Sequence, residues 1–195
     1  MPDSTGTKSS DNDASQVAEQ LVGALDAAGC DYALGGAIAL GYWAEPRGTV
    51  DMDVTLYLPP DKPTESVRLL QHVQCELDAT KAQHSLSEHG FCQVTYAGRR
   101  LDVFLPMIPF YATAAKRRKR VPLGKREAWI WDAETLCVFK MMFFRRKDLA
   151  DVESILRTQG RQLDAAWVEL QLVEMYGARD PRVSEWREIA AQCLG

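Results

Sequence analysis

The chain has 195 residues, of which 46% are hydrophobic and 26% are charged, and its net charge is −4. This content is enough for one sizeable domain, or a domain with a small appendage, and excludes a wholly disordered chain. No run of about 18 apolar residues occurs, so no membrane partner is expected. The polar start lacks the apolar region of a secretory signal, and five cysteines without a CxxC pair are typical of reduced thiols. We therefore expect a cytoplasmic protein.

The chain order of polar, apolar and turn residues predicts an α+β fold. Residues 1–12 predict a disordered tail, and Asp13 with Gln16 resembles a capping box that opens a helix ending at Gly29. The following segments predict strands at 32–34 and 50–58, helices at 37–44 and 64–77, a hairpin at 91–96 and 99–105, and one or two strands within 121–131. Residues 107–115 are ambiguous. Helices are predicted at 133–145, 147–158, 162–176 and 182–193. Residues 13–131 thus form a small mixed sheet flanked by helices, and residues 132–195 form a C-terminal helical bundle.

Two carboxylates share one face of the strand predicted at 50–58. With a period of two, Met52 and its even-numbered neighbours point to the core, while Asp51 and Asp53 point to the other side. Two like charges on a half-buried sheet repel each other, and Mg²⁺ would relieve this because it prefers carboxylate oxygens. The alternative is a solvent-facing acidic pair.

A third carboxylate, Asp102, lies on the polar face of the second hairpin strand. If that strand pairs beside the strand at 50–58, three carboxylates converge and can hold two metal ions. The alternative is an exposed Asp102 paired to Arg99 or Arg100. Gly35-Gly36, after a strand and before a short helix, would let backbone N–H groups approach a phosphate, or is a simple tight turn.

Positive charge is concentrated in residues 99–147, which hold thirteen Lys and Arg against four acids, a local net charge of +9 in a chain that is −13 elsewhere. At its centre lies the basic segment, residues 116–120, with the sequence Lys116-Arg117-Arg118-Lys119-Arg120. Such a patch suits the phosphates of a nucleic acid. The alternative is a solvated surface loop.

Two motifs together carry a family resemblance. Gly35-Gly36-Ala37-Ile38-Ala39, followed by Arg47-Gly48-Thr49-Val50-Asp51-Met52-Asp53, resembles the signature of the nucleotidyltransferase superfamily. The Arg-x-Thr-x-Asp-x-Asp form resembles the abortive-infection type II toxin nucleotidyltransferases, as does the C-terminal stretch with Lys140 and the segment Arg146-Lys147-Asp148-Leu149-Ala150-Asp151. The resemblance covers about residues 30–157.

The resemblance implies a set of site residues. Asp51, Asp53 and Asp102 would bind the metal, with Asp102 either completing that site or accepting the proton of the attacking hydroxyl. Gly35, Gly36, Arg47, Thr49 and Lys140 would bind the nucleotide. Lys140 lies beside an apolar stripe, so it would meet either a triphosphate or a nearby carboxylate such as Asp148. Asp148 would belong to the site or complement a helix dipole, and Asp151 would share its helix face.

The function implied is transfer of an NMP from an NTP to a hydroxyl, with two Mg²⁺ ions as cofactor. The implied acceptor is RNA, such as a tRNA end, contacted by Lys116, Arg117, Arg118, Lys119 and Arg120, and a cognate antitoxin would be a further partner. The alternatives are an antibiotic-type nucleotidyltransferase with a small acceptor and a non-catalytic nucleotide-binding module of the same fold.

Overall fold

The computed structural model describes residues 8–46 and 51–195. These residues form two compact units. The first unit holds the described residues up to Ile38 and those from Asp51 to Ile130, and the second holds residues 39–46 and 131–195. The fold is α+β with one mixed sheet, as predicted. No helix in the two described ranges has the length and apolar character needed to cross a membrane.

The sheet of the first unit has six strands. They are β1 (Tyr32–Leu34), β2 (Met52–Leu56), β3 (Phe91–Tyr96), β4 (Arg99–Phe104), β5 (Lys119–Leu123) and β6 (Arg126–Ile130). Their spatial order is β3-β4-β2-β1-β6-β5. The pairs β2–β4 and β1–β6 are parallel, and the other neighbours are antiparallel. Five of these six strands lie within segments where the sequence predicted strands, and β5 begins two residues earlier, inside the basic segment.

The first five helices are α1 (Lys8–Ala27), α2 (Gly36–Trp43), α3 (Pro63–His72), α4 (Ala79–His89) and α5 (Phe110–Arg117). Helix α1 begins earlier than Asp13, where the capping-box pattern placed its start. No Gly, Pro or β-branched residue lies between Lys8 and Gln16, so nothing in the local sequence stops the helix from extending toward the N-terminus. Residues 1–7 of the predicted tail lie outside the described residues.

The segment predicted as one helix at 64–77 ends early, and a second helix follows it. Helix α3 ends at His72, and Gln74 has a left-handed backbone with φ 68°. Glu76 then forms an isolated bridge to the hairpin, and Asp78 caps α4 through its side chain. The prediction of a single helix was wrong because its apolar spacing continued through a turn that the periodicity did not register.

From residue 131 onward the second unit contains four α-helices: α6 (Ala133–Phe143), α7 (Arg146–Gln159), α8 (Ala165–Tyr176) and α9 (Pro181–Leu194). A short 3₁₀ turn at Gly160–Gln162 separates α7 from α8. Asp132 begins α6 by accepting a hydrogen bond from the backbone N–H of Thr135 at 2.9 Å. The predicted helical C-terminal region is confirmed, with its boundaries shifted by a few residues.

Candidate functional site

Strand β2 carries two of the predicted carboxylates on one side. Met52, Val54 and Leu56 are at most 1% exposed, which places them in the core. Because side chains alternate along a strand, Asp51, just before β2, and Asp53, within it, point to the opposite side. The side chain of Asp51 is 44% exposed. The alternation that the sequence predicted for this strand is therefore present.

The third carboxylate lies directly beside the first two. Strands β2 and β4 pair in parallel with Asp53 opposite Asp102. Neighbouring strands lie about 4.8 Å apart, so two carboxylates in register share one face of the sheet at short range. We call Asp51, Asp53 and Asp102 the acidic face. Its members come from two strands that are distant in sequence, as expected if β4 pairs beside β2.

The double-glycine turn lies against the acidic face. The backbone N–H of Gly35 donates to the carbonyl oxygen of Asp53 at 2.9 Å. Gly36 begins α2 with φ 53°, and a Cβ atom at Gly36 would overlap the carboxylate of Asp53. Gly36 is therefore required twice, for its left-handed backbone and for the close approach of Asp53. Its predicted contact with phosphate stays a prediction.

Arg100 joins two members of the acidic face. Its Nε and Nη2 atoms each donate to one oxygen of Asp102 at 3.0 Å, and its Nη1 lies 3.7 Å from an oxygen of Asp51. The hydrogen bond to Asp102, with the charges of Asp102, Asp51 and Asp53, raises the pKa of Arg100 above its ordinary value. Gln93, opposite Asp102 on β3, donates to the same carboxylate at 2.9 Å. The alternative pairing of Asp102 with Arg100 is thus present, on the same face of the sheet as Asp53.

The chemistry of the acidic face suits a hard divalent cation. Carboxylate oxygens are the ligands that Mg²⁺ prefers, and the guanidinium of Arg100 already places one positive charge beside two of the three carboxylates. In their present rotamers, however, the described residues include no group of three or more His, Cys, Asp and Glu side chains that could hold a metal ion. The donor set fits, and the side chains would have to rotate to use it.

Two predicted nucleotide-binding residues, Arg47 and Thr49, lie outside the described residues. Lys140 is described and is only 6% exposed. Its Nζ donates to Asp151 at 2.6 Å and lies 3.5 Å from Asp148. This is the alternative that the sequence left open, pairing with a nearby carboxylate, although the shorter contact is to Asp151. The predicted role of Lys140 at a triphosphate stays a prediction.

Asp148 is fully buried at the start of α7. It accepts from the Nε of Arg145 at 2.6 Å and from the backbone N–H of Arg145 at 3.3 Å, which makes it part of a capping box. Burial would raise the pKa of Asp148, but the hydrogen bond from Arg145 and the charge of Lys140 outweigh it and lower that pKa. Asp148 thus stabilises the helix start, as its alternative interpretation predicted, and its catalytic assignment is untested.

The basic segment is not uniformly exposed. The side chain of Arg118 is only 12% exposed and donates to the carbonyl oxygen of Tyr32 at 2.7 Å. Its guanidinium lies 4.7 Å from the ring centroid of Tyr57 and 5.1 Å from that of Trp129. By contrast, Lys116 and Lys119 are exposed. Arg118 therefore fastens this part of the chain to the sheet and is poorly placed for a nucleic acid.

Gln93 and the bridging role of Arg100 were not predicted from the sequence. A signal for both was present. A two-residue turn at Ala97-Gly98 sets the hairpin register, which puts Gln93 opposite Asp102, and alternation puts Arg100 on the same face as Asp102.

Comparison with known structures identifies the fold. No protein-family model matches this chain, and no curated protein does. The antibiotic-resistance factor ANT(2'')-Ia in solution is similar, with a TM-score of 0.59 and 12% identity over 86% of this chain and 95% of that chain. The fold is that of the nucleotidyltransferases.

Two further structures agree. ANT(2'')-Ia in complex with adenylyl-2''-tobramycin gives a TM-score of 0.54 and 13% identity over 89% of this chain and 97% of that chain. An antigenic nucleotidyltransferase-like protein from Paracoccidioides brasiliensis gives 0.50 and 18% identity, covering 88% and 92%. These likenesses show a shared fold, and the resemblance to the abortive-infection type stays a prediction.

Proposed function

We propose that the protein is a Mg²⁺-dependent nucleotidyltransferase that moves an NMP from an NTP to a hydroxyl acceptor. The acceptor oxygen would attack the α-phosphorus, the bond from that phosphorus to the bridging oxygen of the β-phosphate would break, and pyrophosphate would leave. The observation that carries the proposal is the acidic face, in which Asp53 and Asp102 lie in register on parallel strands beside the Gly35-Gly36 turn. The fold shared with nucleotidyltransferases is consistent with this chemistry.

In this mechanism Asp51, Asp53 and Asp102 would hold the cation. Mg²⁺ bound there would supply charge neutralisation for the phosphates of the NTP. The chain's own residues orient the reaction: Gly36 leaves room for Asp53, and Gln93 fixes the carboxylate of Asp102. Asp102 is the carboxylate that would accept the proton of the attacking hydroxyl if it does not complete the metal site.

The direct test is transfer of label from α-³²P NTPs in the presence of Mg²⁺. Asp53→Asn and Asp102→Asn keep the side-chain shape and remove charge, and each should lower transfer more than about 100-fold, since loss of even an outer-shell partner costs about 10–100-fold. Asp61→Asn is the matched control, because Asp61 is an exposed carboxylate outside the acidic face. Undiminished transfer by both acidic-face variants would refute the proposal. Binding of NTP without transfer to any acceptor would favour the non-catalytic module.

Two acceptor classes each have an observation in their favour. An RNA hydroxyl is favoured by the exposed Lys116 and Lys119 of the basic segment. A small hydroxylated molecule is favoured because the guanidinium of Arg118 is hydrogen-bonded to the carbonyl oxygen of Tyr32 and is not presented to solvent for RNA. The similar structure of ANT(2'')-Ia is a complex with adenylyl-2''-tobramycin. A toxin role with a cognate antitoxin rests on the sequence resemblance alone.

The Lys116→Ala/Lys119→Ala double variant separates the two classes. An RNA acceptor should bind more weakly to this variant at all sequences, with a smaller dependence of the binding constant on salt concentration. Transfer to a small acceptor should be unchanged. The Lys81→Ala/Lys125→Ala double variant, which removes two exposed lysines outside the basic segment, is the control for general loss of charge.

A further inference from the structure

We propose that Arg100 is an exchangeable cation of the acidic face: its guanidinium holds Asp102 and Asp51 while no metal is bound, and a divalent cation must displace it to load the site. This inference rests on the proposed function, because it concerns the same carboxylates. The inference goes beyond the proposed function by assigning to Arg100 the control of metal affinity.

Arg100 occupies the oxygens that a cation would need. It contacts both oxygens of Asp102, each at 3.0 Å, so neither oxygen is left for a cation without competition. A guanidinium fork on a carboxylate is among the stronger charge-assisted hydrogen bonds. The third contact, 3.7 Å to Asp51, places the same positive charge between two carboxylates that come from different strands.

Arg100 is also the partner that can leave. The side chain of Asp102 is 14% exposed, whereas that of Arg100 is 47% exposed. The guanidinium can therefore move into water, at the cost of its two hydrogen bonds to Asp102, while the carboxylate is held on its strand and keeps the hydrogen bond from Gln93. Exchange requires only that the exposed partner move.

The exchange concerns two of the three carboxylates. Arg100 donates two hydrogen bonds to Asp102 and lies in ion-pair distance of Asp51, and its departure would remove these contacts. Asp102 would then keep the hydrogen bond from Gln93.

Metal affinity tests the inference directly. Arg100→Gln should bind Mn²⁺, followed by loss of the free-ion electron paramagnetic resonance signal, about tenfold more tightly than the unaltered chain, which corresponds to about 1.4 kcal/mol. Arg100→Lys keeps the charge but loses the fork, so it should lie between the two. Arg99→Gln is the matched control, because it removes the same charge from the neighbouring residue of β4, on the other face. If Arg99→Gln raises the affinity for Mn²⁺ by the same factor, the effect comes from net charge alone and the inference is overturned.

A second readout observes Arg100 itself. Its Nε–H resonance, assigned by its absence in Arg100→Gln, should shift during titration with Mg²⁺ as the hydrogen bond to Asp102 is lost. If Mg²⁺ binds and that resonance does not move, the exchange is wrong while nucleotide transfer can stand. If neither Mg²⁺ nor Mn²⁺ binds, with or without NTP, the exchange is wrong. The proposed function is refuted separately, by absence of labelled transfer.

Discussion

Gly36→Ala should disturb the acidic face without touching a carboxylate. An alanine there would have to keep φ 53°, which costs about 1–2 kcal/mol for a residue with a Cβ atom. The new Cβ would also lie 2.5 Å from the Cγ of Asp53 and 3.1 Å from its Cβ, so the carboxylate must swing away. Forcing that side chain off its rotamer adds about 0.5–1.5 kcal/mol. The expected total loss of unfolding free energy is about 1.5–3.5 kcal/mol.

Gly98→Ala is the matched control for the backbone cost. Gly98 has φ 74°, and a Cβ atom there would meet nothing within 4 Å. It should therefore lose only the about 1–2 kcal/mol of the left-handed backbone. Urea unfolding of both variants, with Mn²⁺ binding measured in parallel, separates the two costs. Gly36→Ala should weaken Mn²⁺ binding because it displaces Asp53, and Gly98→Ala should not.

A double-mutant cycle isolates the contact between Gly36 and Asp53. In an Asp53→Ala background the carboxylate is gone and only the 3.1 Å contact with the Cβ of residue 53 remains, so most of the extra cost of Gly36→Ala over Gly98→Ala should disappear. Equal losses of stability by the two glycine variants in the unaltered chain would refute the proposed clash. Persistence of the full extra cost of Gly36→Ala in the Asp53→Ala background would refute it equally.

Three further outcomes are expected. Lys140→Met leaves Asp148 and Asp151 buried with less compensating charge, so urea unfolding should show a loss of about 3–5 kcal/mol. Because the pKa of Asp148 is lowered in the folded state, its charge stabilises the fold above the unfolded-state pKa, near 3.9, and this stabilisation is lost as pH falls through the folded-state pKa. Asp148→Asn should therefore weaken the acid dependence of the urea midpoint. Arg118→Ala should lower the thermal midpoint clearly, whereas Lys119→Ala should change stability by less than about 0.5 kcal/mol, and equal effects would contradict the inward role of Arg118.

Local patterns were sufficient to predict the strand and hairpin of the site. The alternation in β2 identified which side Asp53 takes, and the two-residue turn at Ala97-Gly98 fixed the hairpin. The register of Asp53 against Asp102 was beyond the sequence, because a parallel pair is joined by a long connection whose path no local propensity determines. The bridge by Arg100 follows only once that register is known.

The partner of Lys140 was also undetermined by spacing. Asp148 and Asp151 are one turn apart on α7 and share a face, so the sequence could not choose between them. The start of α7 decides the matter. Arg145 caps the helix and holds Asp148 through its own guanidinium, and Asp151 is left in the shorter contact with Lys140. The buried lysine thus has two carboxylate partners within these two helices.

The basic segment shows why a count of charges overstates a nucleic-acid surface. Helix α5 ends at Arg117 and β5 begins at Lys119, so Arg118 lies at the turn between them, where its side chain points back to Asp31 and the ring of Tyr57. A stacked and hydrogen-bonded guanidinium cannot also release a counterion from a phosphate. Any RNA contact made by this segment must therefore rely on fewer cations than the sequence contains, and its salt dependence should be correspondingly shallow.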